Sequence, residues 1–153
     1  MRLSNYTGGR HLILTNVTIR FHWVRCQLDT ISKCTTEKAI DSALKTLPKD
    51  INETYERILL KIVGEGEEIA NTAEKILMWL VGAMRPLRLM ELEETILIEL
   101  GSVELNTSSR LIDPSDILTI CGSFVEEFED QGVSRVRLSH YTVRVSMIHR
   151  FLK

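Results

Sequence analysis

The chain has 153 residues, 44% of them apolar and 26% charged, enough for one domain of ordinary soluble composition and too little for a second sizeable one. Its 19 basic and 21 acidic side chains leave a net charge of −2, which excludes an overall electrostatic pull towards nucleic acid or anionic lipid. Three cysteines, Cys26, Cys34 and Cys121, form no CxxC pair, so neither a disulfide framework nor a zinc knuckle is indicated and a reducing, cytoplasmic setting is expected.

The opening segment, MRLSNYTGGRHLILTNVTIR, interrupts its apolar stretch with Thr15, Asn16 and Thr18, so it makes a poor signal peptide and no export is expected. Gly8-Gly9 and the lack of a firm period predict poor order there. The NxT sequons at Asn5, Asn16, Asn52 and Asn106 matter only in the secretory pathway and read as accidental. From RFHWVRCQLDTI onward, Trp23, Leu28 and Ile31 with Val24 and Gln27 fit a loosely amphipathic helix.

Thr35-Thr36 then precedes EKAIDSALKTLP, where Ala39, Ile40, Ala43, Leu44 and Leu47 recur at helical spacing and Pro48 ends the run. In DINETYERILLKIVG, Ile51, Tyr55, Ile58, Leu59 and Ile62 share one stripe, Asp50 is placed to cap with Glu53 three positions on, and Gly64 closes the helix. Ile69 to Ala83 is predicted as a helix that is apolar nearly all round in its second half, hence central in the core. Its apolar run, Ile76 to Met84, falls short of the roughly 20 residues a membrane span needs, and no membrane association is expected.

Pro86 stops that helix, and Leu89, Leu92 and Ile96 restart a helical period, giving helix, tight proline turn, helix. GSVELNTSS reads as a polar loop. DPSDILTICG reads as a helix with Asp113 as N-cap, Pro114 at its first position and Gly122 after its end. SFVEEFED and VSRVRLSH read as strands around Gln131-Gly132, with Glu127 and Glu129 available to face Arg135 and Arg137. The fold class is therefore mainly α (α+β): a helical linker followed by a winged helix with a C-terminal β-hairpin wing.

Catalytic equipment is missing from the motif inventory: GxxxxGK[ST], GxGxxG, GxSxG and HExxH are all absent. A Cys121 nucleophile with His140 as base is conceivable, but Cys121 shares an apolar helix face with Ile117 and Ile120, the position of an inert packing thiol. No enzyme activity is expected. The alternative use of a winged helix, nucleic-acid binding, places the last helix before the hairpin in the major groove. Here that helix carries Asp113 and Asp116 and no lysine or arginine, the wrong charge for phosphate, so no nucleic-acid partner is expected.

Five stretches in order, FHWVRCQLDTISKC, ALKTLPKDINETYERIL, ILMWLVGAMRPLRLMELEETI, DILTICGSFV and VRLSHYTVR, resemble the region that follows the nucleotide-binding module in fungal NACHT proteins. These are NLR-like, signal-transducing ATPases of the STAND class that often end in ankyrin or other repeats. The resemblance covers about Phe21 to Arg144 and divides the chain into an unmatched segment 1–20, the end of the NACHT module with its linker at 21–66, a winged helix at 67–144 and an unmatched tail at 145–153. That winged helix is also named after GPI inositol-deacylase, although no lipase motif is present. The resemblance implies a non-catalytic regulatory and interaction module that packs on the nucleotide module and helps switch it between ADP-held and ATP-held states. It further implies that the NACHT module and the repeat domain are the partners, and that ADP or ATP is bound by the full-length parent rather than by this stretch, which reads as a fragment.

The same resemblance gives His140 a role. Related proteins carry a histidine where a wing strand runs into a helix, and it reaches the diphosphate of bound ADP; His140 holds that junction here. A helix start with an imidazole donor suits an anion. A histidine so placed can equally cap the helix or bond neighbouring backbone. Two departures from the family pattern matter: Arg88 stands where a threonine would cap the second helix, a loss expected to cost about 1 kcal/mol, and VSMIHRFLK replaces the usual continuation after Arg144. Without partner domains, apolar faces around Trp23, Trp79 and the helix from Ile51 to Val63 are expected to be exposed, with marginal stability or self-association as the consequence.

Overall fold

The computed structural model describes residues 7–99, 101 and 103–151. They belong to two compact units, Met1–Glu56 and Arg57–Lys153.

The first unit contains α1 (Thr7–Ser32), α2 (Glu37–Lys45) and the opening of α3 (Ile51–Gly64). Helix α1 begins at Thr7, within a stretch where no firm period predicts an element; residues 1–6, part of the segment expected to be poorly ordered, lie outside the described part. Two glycines cost a helix only about 1 kcal/mol each, while every residue added to an existing helix closes another backbone hydrogen bond, so weak local propensity is overridden. The inward face also differs from the predicted one. His22, Cys26 and Gln27 are buried while Leu28 is exposed; Gln27 Nε2 donates to Thr54 Oγ1 at 3.0 Å and the His22 ring lies 6.0 Å from that of the buried Tyr55. Gln27 is inward as the pattern placed it, but hydrophobic periodicity could not find the His22 and Cys26 part of the packing face.

The predicted caps of this unit are present. Thr36 Oγ1 accepts the Ala39 N–H at 3.2 Å at the start of α2. Asp50 Oδ1 accepts from the N–H groups of Asn52 and Glu53 at 2.8 and 2.9 Å, and the Glu53 carboxylate reaches back to the Lys49 N–H at 2.8 Å. Such caps contribute on the order of 1 kcal/mol each by satisfying otherwise orphaned donors.

The second unit carries the rest of α3, then α4 (Glu67–Gly82), β1 (Leu87–Arg88), α5 (Leu89–Ile96), α6 (Asp116–Cys121), β2 (Val125–Asp130), β3 (Val133–Leu138) and α7 (Tyr141–Phe151). Helix α4 is central, as its apolar second half predicted: it touches α5, α6, α7 and β3 and buries Ala73, Ile76, Leu77 and Leu80. Leu92 and Ile96 of α5, Ile117 and Cys121 of α6, Val136 of β3, and Val143 and Met147 of α7 close the core around it. Each fully buried aliphatic side chain there contributes about 1.5–3 kcal/mol. Mostly helical with a three-stranded antiparallel sheet of order β1-β3-β2, the unit has winged-helix architecture.

Three local expectations are corrected. The proline turn between α4 and α5 contains strand β1, which pairs with β3 through Leu87↔Val136 and Arg88↔Arg135; a two-residue strand is too short to show a period. Asp113 does not cap α6 directly: its Oδ1 accepts from the Ser115 N–H at 2.8 Å in a preceding turn, and the helix starts at Asp116. In the hairpin, Gln131 and Gly132 both take positive φ, 52° and 76°, the geometry of a two-residue turn that matches strand twist. Such a turn opposes even-numbered to odd-numbered residues, so Arg137 faces Glu126 and Arg135 faces Phe128, while Glu127 and Glu129 face Val136 and Ser134. The ion pairs are accordingly Arg137–Glu126 and Arg135–Asp130, each at 2.8 Å.

The missing threonine cap at Arg88 is compensated. A guanidinium has no acceptor and cannot cap, but Glu91 accepts the Arg88 N–H at 2.9 Å and two hydrogen bonds from Arg85 at 2.8 and 3.0 Å. These bonds, the Arg85 pair foremost, hold the Glu91 carboxyl well below the usual range, at about 2. Exposed apolar surface is found at Trp79, Leu60 and Val63, whereas Trp23 is half-buried. Met78, Trp79, Ala83, Leu87 and Ile98 line a groove of about 730 Å³. No described helix is long and apolar enough to cross a membrane.

Candidate functional site

The β3–α7 junction is fixed by the sheet. Ser139 N–H donates to the Phe124 carbonyl at 2.9 Å and the Ser139 hydroxyl to the Ser123 carbonyl at 2.6 Å, so the chain leaves β3 in a set direction and His140 falls immediately before the first turn of α7. Strand periodicity ends there because the backbone turns to serve helix donors. The His140 carbonyl accepts the Val143 N–H at 3.1 Å, and its Nδ1 accepts from the Thr142 N–H at 3.3 Å and the Thr142 hydroxyl at 2.7 Å.

His140 therefore caps α7. With Nδ1 engaged as an acceptor, the proton of the neutral ring resides on Nε2. Partial burial lowers its pKa from the usual 6.5, with the charge of Glu126 opposing that shift. The ring also lies against Tyr141, with centroids 4.5 Å apart. A half-buried, neutral imidazole held in one tautomer is a fixed donor rather than a mobile charge.

Beside it is a cleft of about 280 Å³, bounded by the turn after α4, by β3 and by the first turn of α7. Arg85, Arg137, Arg144 and His140 line it, together with the apolar surface of Leu80 and Val136, and no carboxylate is among its lining residues. Two of the arginines are anchored: Arg85 by Glu91 and Arg137 by Glu126, the latter guanidinium also lying 4.3 Å from the centre of the Phe128 ring. Anchored guanidiniums keep their hydrogen-bonding edges in a set orientation, which favours bidentate contact with a phosphate or carboxylate. The helix start adds the positive end of the α7 dipole. The chemistry of this donor set fits an anionic phosphate group.

Sequence reasoning singled out His140 and missed the arginines around it. Arg144 was legible in principle, since it lies four residues on from His140 and so on the same helix face; Arg137 had been assigned only to the hairpin and Arg85 had not been singled out. Cys121 and His140, weighed together from the sequence, are different kinds of residue in the structure: Cys121 is wholly buried and burial pushes its thiol up to about 12. Helix α6 presents Asp116 and no basic side chain. Among the described residues, no group of three or more His, Cys, Asp or Glu side chains could hold a metal ion.

Residues 60–152 match the family model described as "GPI inositol-deacylase, winged helix domain". A curated relative, azaphilone pigments biosynthesis cluster protein L of Monascus ruber, is 33% identical over 113 residues, covering 71% of this chain. The match occupies only 23% of that relative's length. No solved structure matches the chain.

Proposed function

The chain belongs to the family of the GPI inositol-deacylase winged helix domain, and from that premise we propose that it is a non-catalytic regulatory module of a STAND ATPase with a NACHT nucleotide module, on which the winged helix packs to control the ADP/ATP switch. The observation that carries this reading is the arginine-lined cleft beside His140. A phosphate of bound nucleotide would meet the Nε2–H of His140, the guanidinium of Arg144 and the start of α7, in a cleft with no carboxylate among its lining residues, Glu126 and Glu91 pairing with Arg137 and Arg85 at its edge. The nucleotide itself would be gripped by a phosphate loop, for which this sequence has no GxxxxGK[ST]. The coverage of the Monascus ruber relative supports a module carried inside a much longer protein. Its partners are then the NACHT module and the repeat domain, in the cytoplasm.

In this role the winged helix is a packing surface and a phosphate contact rather than a reader of bases. The acidic start of α6 argues against its insertion in a groove of nucleic acid. Cys121, buried and with its thiol pushed up, is a packing residue and not a nucleophile.

The test uses the chain joined to a NACHT module, with His140→Ala and Arg144→Ala compared with the unchanged protein for ADP retained through purification. Loss of a charge-assisted contact of this kind is worth about 1.5–3 kcal/mol, so retention is expected to fall about tenfold or more. Unchanged ADP retention in both variants, with folding intact, overturns the reading.

A further inference from the structure

Helix α4 is apolar on two sides. One side buries Ala73, Ile76, Leu77 and Leu80 in the core. The other carries Lys75, Met78, Trp79 and Gly82, which at roughly 100° per residue point away from that core. Met78 and Trp79 remain 41% and 43% exposed. They form one wall of the groove of about 730 Å³, with Leu87 of β1 and Ile98, beyond the end of α5, forming the rest. Small-molecule sites have volumes of about 300–1,000 Å³. Ala83 alone is common to this lining and to that of the cleft beside His140, so the groove is a separate site.

The groove has a polar end and an apolar remainder. At the polar end, Lys75 Nζ donates to the Ile96 carbonyl at 3.2 Å, which fixes the ammonium against the end of α5 and leaves two of its three N–H groups uncommitted. Glu99 lines the same end, and its Oε1 accepts from the Asn106 amide at 2.6 Å, leaving Oε2. Among the described residues neither Lys75 nor Glu99 is in an ion pair. The end therefore offers a donor and an acceptor of opposite charge, with no net sign. From there to Ala83, about 12 Å along α4, the lining is apolar or, at Gly82, bare. A Cβ at Gly82 would meet nothing within 4 Å.

These features select the occupant. A half-exposed indole and a thioether favour a flat aromatic ring system, because rings stack on tryptophan and sulfur settles against ring edges. A rigid ring system also loses little conformational freedom on binding. A fully charged head group would gain from one of Lys75 and Glu99 and lose to the other. A neutral hydroxyl, which both accepts and donates, satisfies the two together.

We propose that the groove between α4, β1 and the segment after α5 binds a neutral, flat, polycyclic aromatic molecule carrying a hydroxyl, its rings against Trp79 and Met78 and its hydroxyl between Lys75 and Glu99.

The experiment titrates the intact chain by calorimetry at neutral pH with hydroxypyrene, pyrenecarboxylate and pyrenemethylammonium, which share one ring system and differ in the charge of the head. Hydroxypyrene is expected to bind one molecule per chain, about fivefold or more tightly than either charged analogue, the worth of one hydrogen bond. Gly82→Leu puts a side chain into the groove and is expected to abolish binding of all three, with helicity by circular dichroism unchanged. Glu99→Lys leaves the ring-binding wall intact, makes the polar end wholly basic and is expected to turn the preference towards pyrenecarboxylate. No saturable binding, equal affinity for the three compounds, binding that survives Gly82→Leu, a preference unmoved by Glu99→Lys, or a chain that sediments as a dimer separated by Gly82→Leu would each overturn the proposal.

Discussion

Replacing Gly122 by alanine and replacing Gly82 by alanine are the same chemical change with opposite expected signs. Gly122 follows α6 with φ 52° and ψ −132°, a region that side chains of L-residues avoid. A Cβ built there meets nothing within 4 Å, so no neighbouring atom contributes to the cost and the backbone alone sets it. Holding a non-glycine residue in so sparsely populated a region costs about 1–3 kcal/mol. Gly82 is the last residue of α4 and its Cβ would also meet nothing within 4 Å. There alanine removes chain entropy from the unfolded state and gains up to about 0.5–1 kcal/mol. The two variants should differ by about 1.5–4 kcal/mol. Urea unfolding followed by far-ultraviolet circular dichroism is the assay, with the midpoint shifting and the slope unchanged. For a chain of this size Gly122→Ala should lower Tm by about 2–12 °C, at about 2–4 °C per kcal/mol. A Gly122→Ala protein as stable as the unchanged chain would refute the assignment of the α6 terminus to a glycine-only conformation.

Two further outcomes are expected. Glu91 has its pKa lowered from 4.5 to about 2 by the hydrogen bonds from Arg85 and from the Arg88 N–H; its stabilising contribution is full above pH 4.5 and is lost as pH falls through about 2. Urea midpoints of the unchanged chain and of Glu91→Gln should therefore differ near neutrality and converge at the acid end, and a gap independent of pH would contradict the Arg85–Glu91–Arg88 arrangement. Of the three cysteines, Cys34 is partly exposed while Cys26 and Cys121 are buried with thiols pushed up to about 11 and about 12. Iodoacetamide on the folded chain should label Cys34 first, and peptide mass spectrometry finding Cys121 labelled at the same rate would disprove its burial.

The sequence by itself determined most of the helices of the second unit and the order of its wing, because those features are written in short range: the apolar period of α4, the stop at Pro86, the turn residues Gln131-Gly132. It determined the caps at Thr36 and Asp50 for the same reason, since a cap joins residues two or three apart. His140 was legible as the point where strand period gives way. What only tertiary structure decided was whatever depends on residues distant in sequence. The pairing of β1 with β3 spans the whole winged helix, the substitute cap at Arg88 depends on Arg85 folding back to hold Glu91, and the cleft beside His140 is assembled from three segments no periodicity connects. Part of the packed face of α1 escaped the sequence for a related reason: Gln27 fits the helical pattern and is buried against Thr54, but His22 is buried where its ring meets that of Tyr55, and a polar side chain announces its partner only when the chain has brought the two together.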